Sequence, residues 1–251
     1  PRWYGESAVP WGEVLDRTAE RYPGKEAILS GEPITYREFQ ELANGLARGL
    51  LHLGVRPGDT VALWLSPRPE ALIAQFACYK LGVPLVPIDP ARRDLGEVLS
   101  QSDATALFLT EALPGGPSPL ETVYELLPEL VEAPPGKLLS DRVPRLRHIV
   151  LCRGSRRYKG IFSLEELYTR GEGVGEEELE GIASLVGPEA VQHLVYTYGH
   201  PGAMLTQRAS AAAGGLLADL LRLGPEDRVL LAFPPSHPLW LYPALAAVWA
   251  G

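Results

Sequence analysis

Three short, almost wholly apolar runs restrict the fold of this chain more than any other feature. They lie at 60–65, 83–88 and 104–110. Runs of this length that are apolar throughout are typical of strands buried on both faces of a parallel sheet. The stretches between them have helical spacing, and this alternation favours a parallel sheet covered by helices. We therefore predict an α/β fold, with mainly parallel sheets and helices on both faces.

Local signals predict where several helices begin and end. Thr35 and Glu38 have the spacing of a capping box, in which the hydroxyl and the carboxylate each satisfy a backbone donor. The helix that they open should stop at Gly54, and a helix over 69–81 should stop at Gly82, because glycine is favoured just after a helix. An earlier helix, from Trp11, should end at Pro23-Gly24.

The second half of the chain has a less regular pattern. After a Pro/Gly-rich break at 113–118 we predict further helices and strands up to residue 250. We divide the chain into a first α/β portion (1–112), a linker with a helical connection (113–145) and a second α/β portion (146–251). The predicted elements are a helix over 119–132, a strand over 146–152, a helix capped by Ser163 and Glu166, an exposed acidic loop over 171–180, two strands from Val191, a helix over 207–223, a strand over 228–233 and an apolar helix ending at 250.

Composition excludes some functions. The net charge of −8 argues against nucleic acid as a partner, because phosphate neutralisation needs clustered Lys and Arg. A local cluster (Arg153, Arg156, Arg157 and Lys159) is interpreted as a solvated loop. No apolar run is long enough to span a membrane, and the N-terminus has no signal-peptide pattern, so a cytoplasmic location is expected by default.

The cysteines and histidines do not predict a metal site. Cys78 and Cys152 are too few and too far apart in sequence for a disulfide framework or metal site. Cys78 lies in an apolar helical pattern, where it should behave as a small buried hydrophobe. His52, His148 and His193 do not have the spacing of a ligand set, so no metal ligand is predicted.

Five segments, in this order along the chain, resemble the adenylate-forming superfamily of acyl-CoA synthetases and adenylation domains. The stretch 146–171 looks more like acyl-CoA ligases than like peptide-synthetase domains. The five segments are 34–38 (Ile-Thr-Tyr-Arg-Glu), 53–62 (Leu-Gly-Val-Arg-Pro-Gly-Asp-Thr-Val-Ala), 79–90 (Tyr-Lys-Leu-Gly-Val-Pro-Leu-Val-Pro-Ile-Asp-Pro), 194–207 (Leu-Val-Tyr-Thr-Tyr-Gly-His-Pro-Gly-Ala-Met-Leu-Thr-Gln) and 226–237, which runs from Glu-Asp-Arg-Val-Leu to Pro-Pro-Ser-His.

The resemblance implies two similarly wound subdomains, of which this chain would hold the first and an incomplete second. It also implies an ATP-dependent acid–thiol ligase, which joins a carboxylate to ATP as an acyl-adenylate and then transfers the acyl group to CoA. ATP or AMP, Mg²⁺ and CoA are the cofactors of such enzymes. Their acidic Mg²⁺ motif, ribose-binding aspartate, hinge and lid lysine would all lie beyond residue 251.

The family's phosphate loop is altered here. The loop remnant is Thr197, Tyr198, Gly199, His200 and Gly202, with Tyr198 at the family's Ser, and the segment with the loop lysine is absent. Pro201 also removes one backbone donor. The alternative is a type II turn over 200–203, with Pro at its second position and Gly at its third, joining two strands without a ligand. We favour the turn, and we expect no catalytic residue in this chain.

His237 is the candidate for the acyl pocket. The resemblance places it at the mouth between a strand and a helix, where sites of α/β proteins collect. The alternative is a local helix-entry histidine beside Pro238. Lys80 is interpreted as a cation favoured by a helix C-terminus, and Asp89 as a turn residue. The aromatic residues that follow His237 (Trp240, Tyr242 and Trp249) are interpreted as core packing.

Two functions follow as expectations. The first is an N-terminal fragment or degenerate relative of an ATP-dependent acyl-CoA ligase of fatty acid metabolism, inactive by itself and therefore a pseudoenzyme when alone. The second is a non-catalytic binding or assembly module that keeps the scaffold. Its partners would be a second copy or the missing C-terminal portion, joined through an unpaired sheet edge. A carboxylic acid or acyl ligand is a further candidate partner.

Overall fold

The strands form one large sheet and one small one. The structure is a computed structural model that describes residues 9–113, 117–154, 157–197 and 200–251. The strands are β1 (Glu26–Ile28), β2 (Ile34–Thr35), β3 (Thr60–Trp64), β4 (Leu85–Pro87), β5 (Ala104–Thr110), β6 (His148–Arg153), β7 (Phe162–Ser163), β8 (Val191–Thr197) and β9 (His200–Thr206).

The large sheet has seven strands in the order β7-β6-β5-β3-β4-β8-β9. Neighbouring strands are parallel from β7 through β8, and only β8 and β9 are antiparallel. The order β4-β3-β5-β6-β7 is the 2-1-3-4-5 order of one doubly wound fold. The predicted α/β class with a mainly parallel sheet is confirmed. The domain boundaries at 112 and 145 stay a prediction, and the sheet is continuous across both.

Nine α-helices and one 3₁₀ turn connect these strands in the described residues. The predicted capping boxes at Thr35/Glu38 and Ser163/Glu166 are both present. Gly82 adopts the left-handed conformation that ends its helix. The helices are α1 (Trp11–Arg21), α2 (Tyr36–His52), α3 (Pro69–Leu81), α4 (Leu95–Gln101), α5 (Pro119–Leu126), α6 (Leu164–Gly171), α7 (Glu176–Ala183), α8 (Gln207–Leu221) and α9 (Pro238–Ala250), and the 3₁₀ turn is Pro128–Val131.

The central strand β3 contributes to hydrophobic cores on both faces of the sheet. Val61 and Leu63 belong to the core under α1, α2 and α3, whereas Ala62 and Trp64 belong to the core under α4 and α5. All residues of β3 are buried, because successive side chains of a strand point to opposite faces and helices cover both. This confirms the prediction of strands buried on both sides. Cys78, on α3, is fully buried as expected.

Two helical predictions need correction. The acidic stretch predicted as a loop contains α7, whose Leu179 is buried and whose three first-turn glutamates suit a helix N-terminus. Two of these glutamates also lie near arginines of the first portion. The predicted helix over 119–132 is divided at Pro128, which has no N–H to continue an α-helix.

The predicted strand over 228–233 is wrong. The structure assigns no strand there, and no backbone–backbone hydrogen bond joins these residues to another described residue. A strand needs a neighbour to receive its hydrogen bonds, and none of the described strands pairs with this segment. The side chain of Leu230 is 87% exposed as a result. The sequence pattern therefore indicates strand propensity, but no described strand pairs with this segment.

Lys80 lies in the last turn of its helix, as interpreted, but it also has a buried ion-pair partner. Only 5% of its side chain is exposed, and its Nζ forms an ion pair with Asp16 Oδ1. Gln40 also donates to this carboxylate oxygen, at 2.6 Å. Burial lowers the pKa of Lys80, and the Asp16 carboxylate opposes that shift. The contact joins α1, α2 and α3, so Lys80 is an internal tie between helices.

Candidate functional site

The loop remnant lies at the end of an antiparallel hairpin. Thr197 ends β8 and His200 begins β9, and the two are direct register partners. The two residues between them in sequence, Tyr198 and Gly199, lie outside the described part of the chain. The expected closure of two strands at this position is confirmed. The side chains of Thr197 and His200 also lie outside the description.

The turn is not where the Pro-Gly pair predicted it. Pro201 and Gly202 lie within β9 instead of in a type II turn over 200–203. Pro201 faces Tyr196 and Ala203 faces Val195, so Gly202 has no partner and forms an irregularity of the ladder. Proline and glycine are tolerated at such bulges and on edge strands, and β9 is the edge strand of the sheet.

This geometry is a poor match to a phosphate cradle. A cradle needs successive backbone N–H groups that converge on one point, whereas N–H groups along a strand alternate in direction. Pro201 has none, and no lysine follows Lys159 anywhere in the sequence. The described residues of the hairpin therefore offer no converging set of donors, and no step of phosphate chemistry is derived from them.

Buried polar side chains contact β8 at His193. Tyr79 of α3 places its hydroxyl 3.2 Å from His193 Nε2, and Gln75 donates to the same hydroxyl. Burial lowers the pKa of His193 to about 3 and raises that of Tyr79 well above its usual value. His193 is therefore neutral at physiological pH. The sequence spacing related His193 only to a metal ligand set and did not predict its buried contact with Tyr79.

The neighbouring residue on β8 connects to α8 and α1. Ser210 donates to Gln192 Oε1, and Trp11 Nε1 donates to Ser210 Oγ at 3.1 Å. The backbone N–H of Trp11 donates to Gln207 Oε1, also at 3.1 Å. These long-range contacts fix the base of the hairpin to helices that are far apart in sequence, and no local pattern could have predicted them.

His237 has the local role that we considered as the alternative. It is the N-cap of α9, and its Nδ1 accepts a hydrogen bond of 3.1 Å from Leu239 N. Its exposed ring stacks on Phe233, with 4.6 Å between ring centroids. Its assignment to an acyl pocket stays a prediction. The aromatic residues after it agree with core packing, since Trp240 is fully buried and Tyr242 and Trp249 pack against the same core.

A cavity of about 340 Å³ lies away from His237 and the hairpin. It is bounded by β1, the start of α3, the segment 223–231 and α9. Its walls include Ile28, Leu72 and Trp240, and Lys25 and Arg68 also line it. Neither His237 nor any described residue of the hairpin contributes to the wall. The cavity and the loop remnant are therefore separate features.

Two other kinds of site are absent from the described residues. No group of three or more His, Cys, Asp or Glu side chains is placed to hold a metal ion there. Within the same ranges, every helix is too short or too polar to cross a membrane.

A mainly parallel sheet covered by helices is the fold that the resemblance to the adenylate-forming superfamily implies. The sequence profile of the AMP-binding enzyme family matches residues 15–251. The chain belongs to that family.

Relatives carry acyl-CoA synthetase and ligase names. YngI of Bacillus subtilis, named as an acyl-CoA synthetase, is 32% identical over 235 residues, which are 90% of this chain and 42% of YngI. The mitochondrial medium-chain acyl-CoA ligase ACSF2 of Rattus norvegicus is 27% identical over 247 residues, covering 90% and 38%. The solved structure of the long-chain-fatty-acid-CoA ligase FadD1 of Archaeoglobus fulgidus has a TM-score of 0.76 at 24% identity, covering 96% and 45%.

These comparisons confirm the predicted resemblance and its extent. The chain spans only about two fifths of the length of the curated relatives, 42% of YngI and 38% of ACSF2. The likeness to FadD1, below 25% identity, supports the fold alone. The match is consistent with a portion of an ATP-dependent ligase.

The buried neutral state of His193 predicts acid sensitivity. Its pKa is about 3 when folded and about 6.5 when unfolded, so the unfolded chain binds the extra proton first as the pH falls. The stabilisation is complete above pH 6.5 and is lost progressively towards pH 3. We therefore expect the unfolding free energy to be about 2 kcal/mol lower at pH 5 than at pH 7 because of His193. Urea titrations at several pH values measure it.

The control for this prediction is a second histidine. His193→Gln should flatten the dependence of the unfolding free energy on pH, whereas His52→Gln, at an exposed position, should leave the slope unchanged. Burial also lowers the pKa of His148, so part of the slope remains in both variants. Equal slopes in wild type and His193→Gln would show that His193 is not the sensor.

Proposed function

We propose that this chain is the N-terminal portion, or a degenerate relative, of an ATP-dependent acyl-CoA ligase, and that it catalyses neither half-reaction alone. The ancestral reaction forms a bond between a carboxylate oxygen and the α-phosphorus of ATP and expels pyrophosphate. The CoA thiol then displaces AMP from the acyl-adenylate. ATP or AMP, Mg²⁺ and CoA are the cofactors of that reaction, and their binding by this chain is doubtful.

The geometry of the hairpin carries this proposal. Phosphoryl and adenylyl transfer depend on donors and cations held around the phosphates. Thr197, Tyr198, Gly199, His200 and Gly202 are the remnant of that loop, and Pro201 interrupts their donors. The coverage of the relatives supports the same conclusion, since more than half of their length lies outside this match. His237 remains the candidate for the acyl pocket, and a cytoplasmic location is inferred by default.

Pyrophosphate exchange tests this proposal directly. With Mg²⁺, ATP and a panel of short-, medium- and long-chain carboxylic acids, we expect the pure chain to incorporate no labelled pyrophosphate into ATP above background. A full-length acyl-CoA ligase assayed beside it is the positive control. Acid-dependent exchange by this chain alone would overturn the proposal.

A second candidate function, a non-catalytic assembly module, is favoured by the segment 228–233. This segment has strand propensity, no backbone hydrogen bond to other described residues and an exposed Leu230. An unpaired segment with strand propensity can be a template for another chain. The outer edge of β9 is a weaker template, because Pro201 and the irregularity at Gly202 interrupt it. The partner would be a second copy or a C-terminal portion.

Replacing one exposed side chain on each surface distinguishes these templates. Light scattering at rising protein concentration should show association of the wild type, because the unpaired segment can receive a strand from a second copy. Leu230→Lys should reduce association, whereas Met204→Lys, on the exposed side of β9, should not. A wild type that stays monomeric, or two variants that behave alike, would contradict assembly through 228–233.

A further inference from the structure

Arg92 reaches the hairpin from the loop that follows β4. Its Nη1 donates to the backbone carbonyl of Tyr196 at 3.1 Å, and only 10% of its side chain is exposed. Tyr196 is the residue before Thr197, where β8 ends and the loop remnant begins. Arg92 is 104 positions away in sequence, so the contact is purely tertiary. It is separate from the network around His193.

The loop around Arg92 orients its guanidinium. Asp89 Oδ1 accepts from Ala91 N at 2.8 Å, which confirms Asp89 as a turn residue, and Arg92 N donates to Asp89 O at 3.0 Å. Asp94 then accepts from Arg92 Nε at 2.6 Å and from Nη2 at 3.0 Å. A bidentate pair of this kind fixes the plane of the guanidinium.

Asp94 gives up a second role to make this pair. It is the N-cap residue of α4, a position where aspartate usually accepts a backbone N–H and stabilises the helix by about 1 kcal/mol. Its side chain makes no such hydrogen bond here. The hydrogen bond to Arg92 is the main cause of its lowered pKa. The carboxylate therefore serves the arginine instead of the helix.

The end of β8 pairs with β9 but not with β4. On one side, the register with β4 consists of a single pair, Leu85 and His193. On the other side, the residue opposite Tyr196 is Pro201, which has no N–H to donate. The Tyr196 carbonyl thus accepts from the Arg92 side chain beside a residue that has no N–H to donate.

We propose that Arg92, oriented by Asp94, is a positioning residue that fixes the end of β8 and so the start of the turn at Thr197. The guanidinium ties the end of β8 to the loop that follows β4. It does not act as a phosphate ligand, because Asp94 balances its charge. The inference concerns the same turn as the proposed function but rests on these contacts alone, so the result of pyrophosphate exchange does not decide it.

Hydrogen exchange with matched variants tests this role. Arg92→Gln removes the guanidinium and should accelerate amide exchange about tenfold in peptides spanning 191–206, because the hydrogen bond from this charged group would be lost. Exchange in α2 and α3 should not change. Arg93→Gln is the control, because Arg93 is exposed in the same loop and forms no ion pair with a described residue. It should match the wild type.

Two further variants keep the test decisive if Arg92→Gln folds poorly. Arg92→Lys keeps the charge but cannot form the bidentate pair, and Asp94→Asn keeps the arginine but weakens its orientation. Both should accelerate exchange in 191–206 by less than Arg92→Gln does. The proposal is overturned if Arg92→Gln or Arg92→Lys matches Arg93→Gln, or if exchange rises equally throughout the chain, which would show a general loss of stability.

Discussion

The structure depends on a parallel sheet that is buried on both faces. β3 lies at its centre and contributes alternate side chains to two separate cores. A sheet of this kind needs helices on both sides, and the crossover connections between parallel strands provide them. Once β3, β4 and β5 are covered, their carboxyl ends are fixed, and the hairpin β8–β9 can be added beside β4 in one register. The position of the loop remnant follows from that core.

Buried polar contacts then fix the hairpin more firmly than a surface loop requires. Tyr79 and Ser210 hold the base of β8, and Arg92 holds its end. Burying polar groups is costly unless they are paired, so these contacts specify one arrangement of β8. Pro201, on β9, has no N–H to offer as a backbone donor. The fold of the AMP-binding family is therefore retained around a hairpin that contains this proline and no lysine.

The sequence predicted the features that depend on neighbouring residues. The capping boxes, the limits of α3 and the strand β5 follow from spacing within a few positions, and the structure has all three. For features that depend on residues distant in sequence, the predictions were wrong or no prediction was made. Lys80 is buried beside Asp16, which lies on another helix. The segment 228–233 is not a strand because it pairs with no described strand. Leu179 anchors α7, although glutamates around it suggested a loop.

The family scaffold should persist in this chain without a working nucleotide site. Calorimetric titration of the pure chain with ATP and Mg²⁺, and separately with AMP, measures whether such a site remains. We expect no saturable heat for either nucleotide, because the hairpin combines a strand ladder, a proline and no lysine. Saturable binding of MgATP that is lost when Gly202 is replaced by Val would refute this expectation, since it would show that the end of the hairpin still holds phosphate.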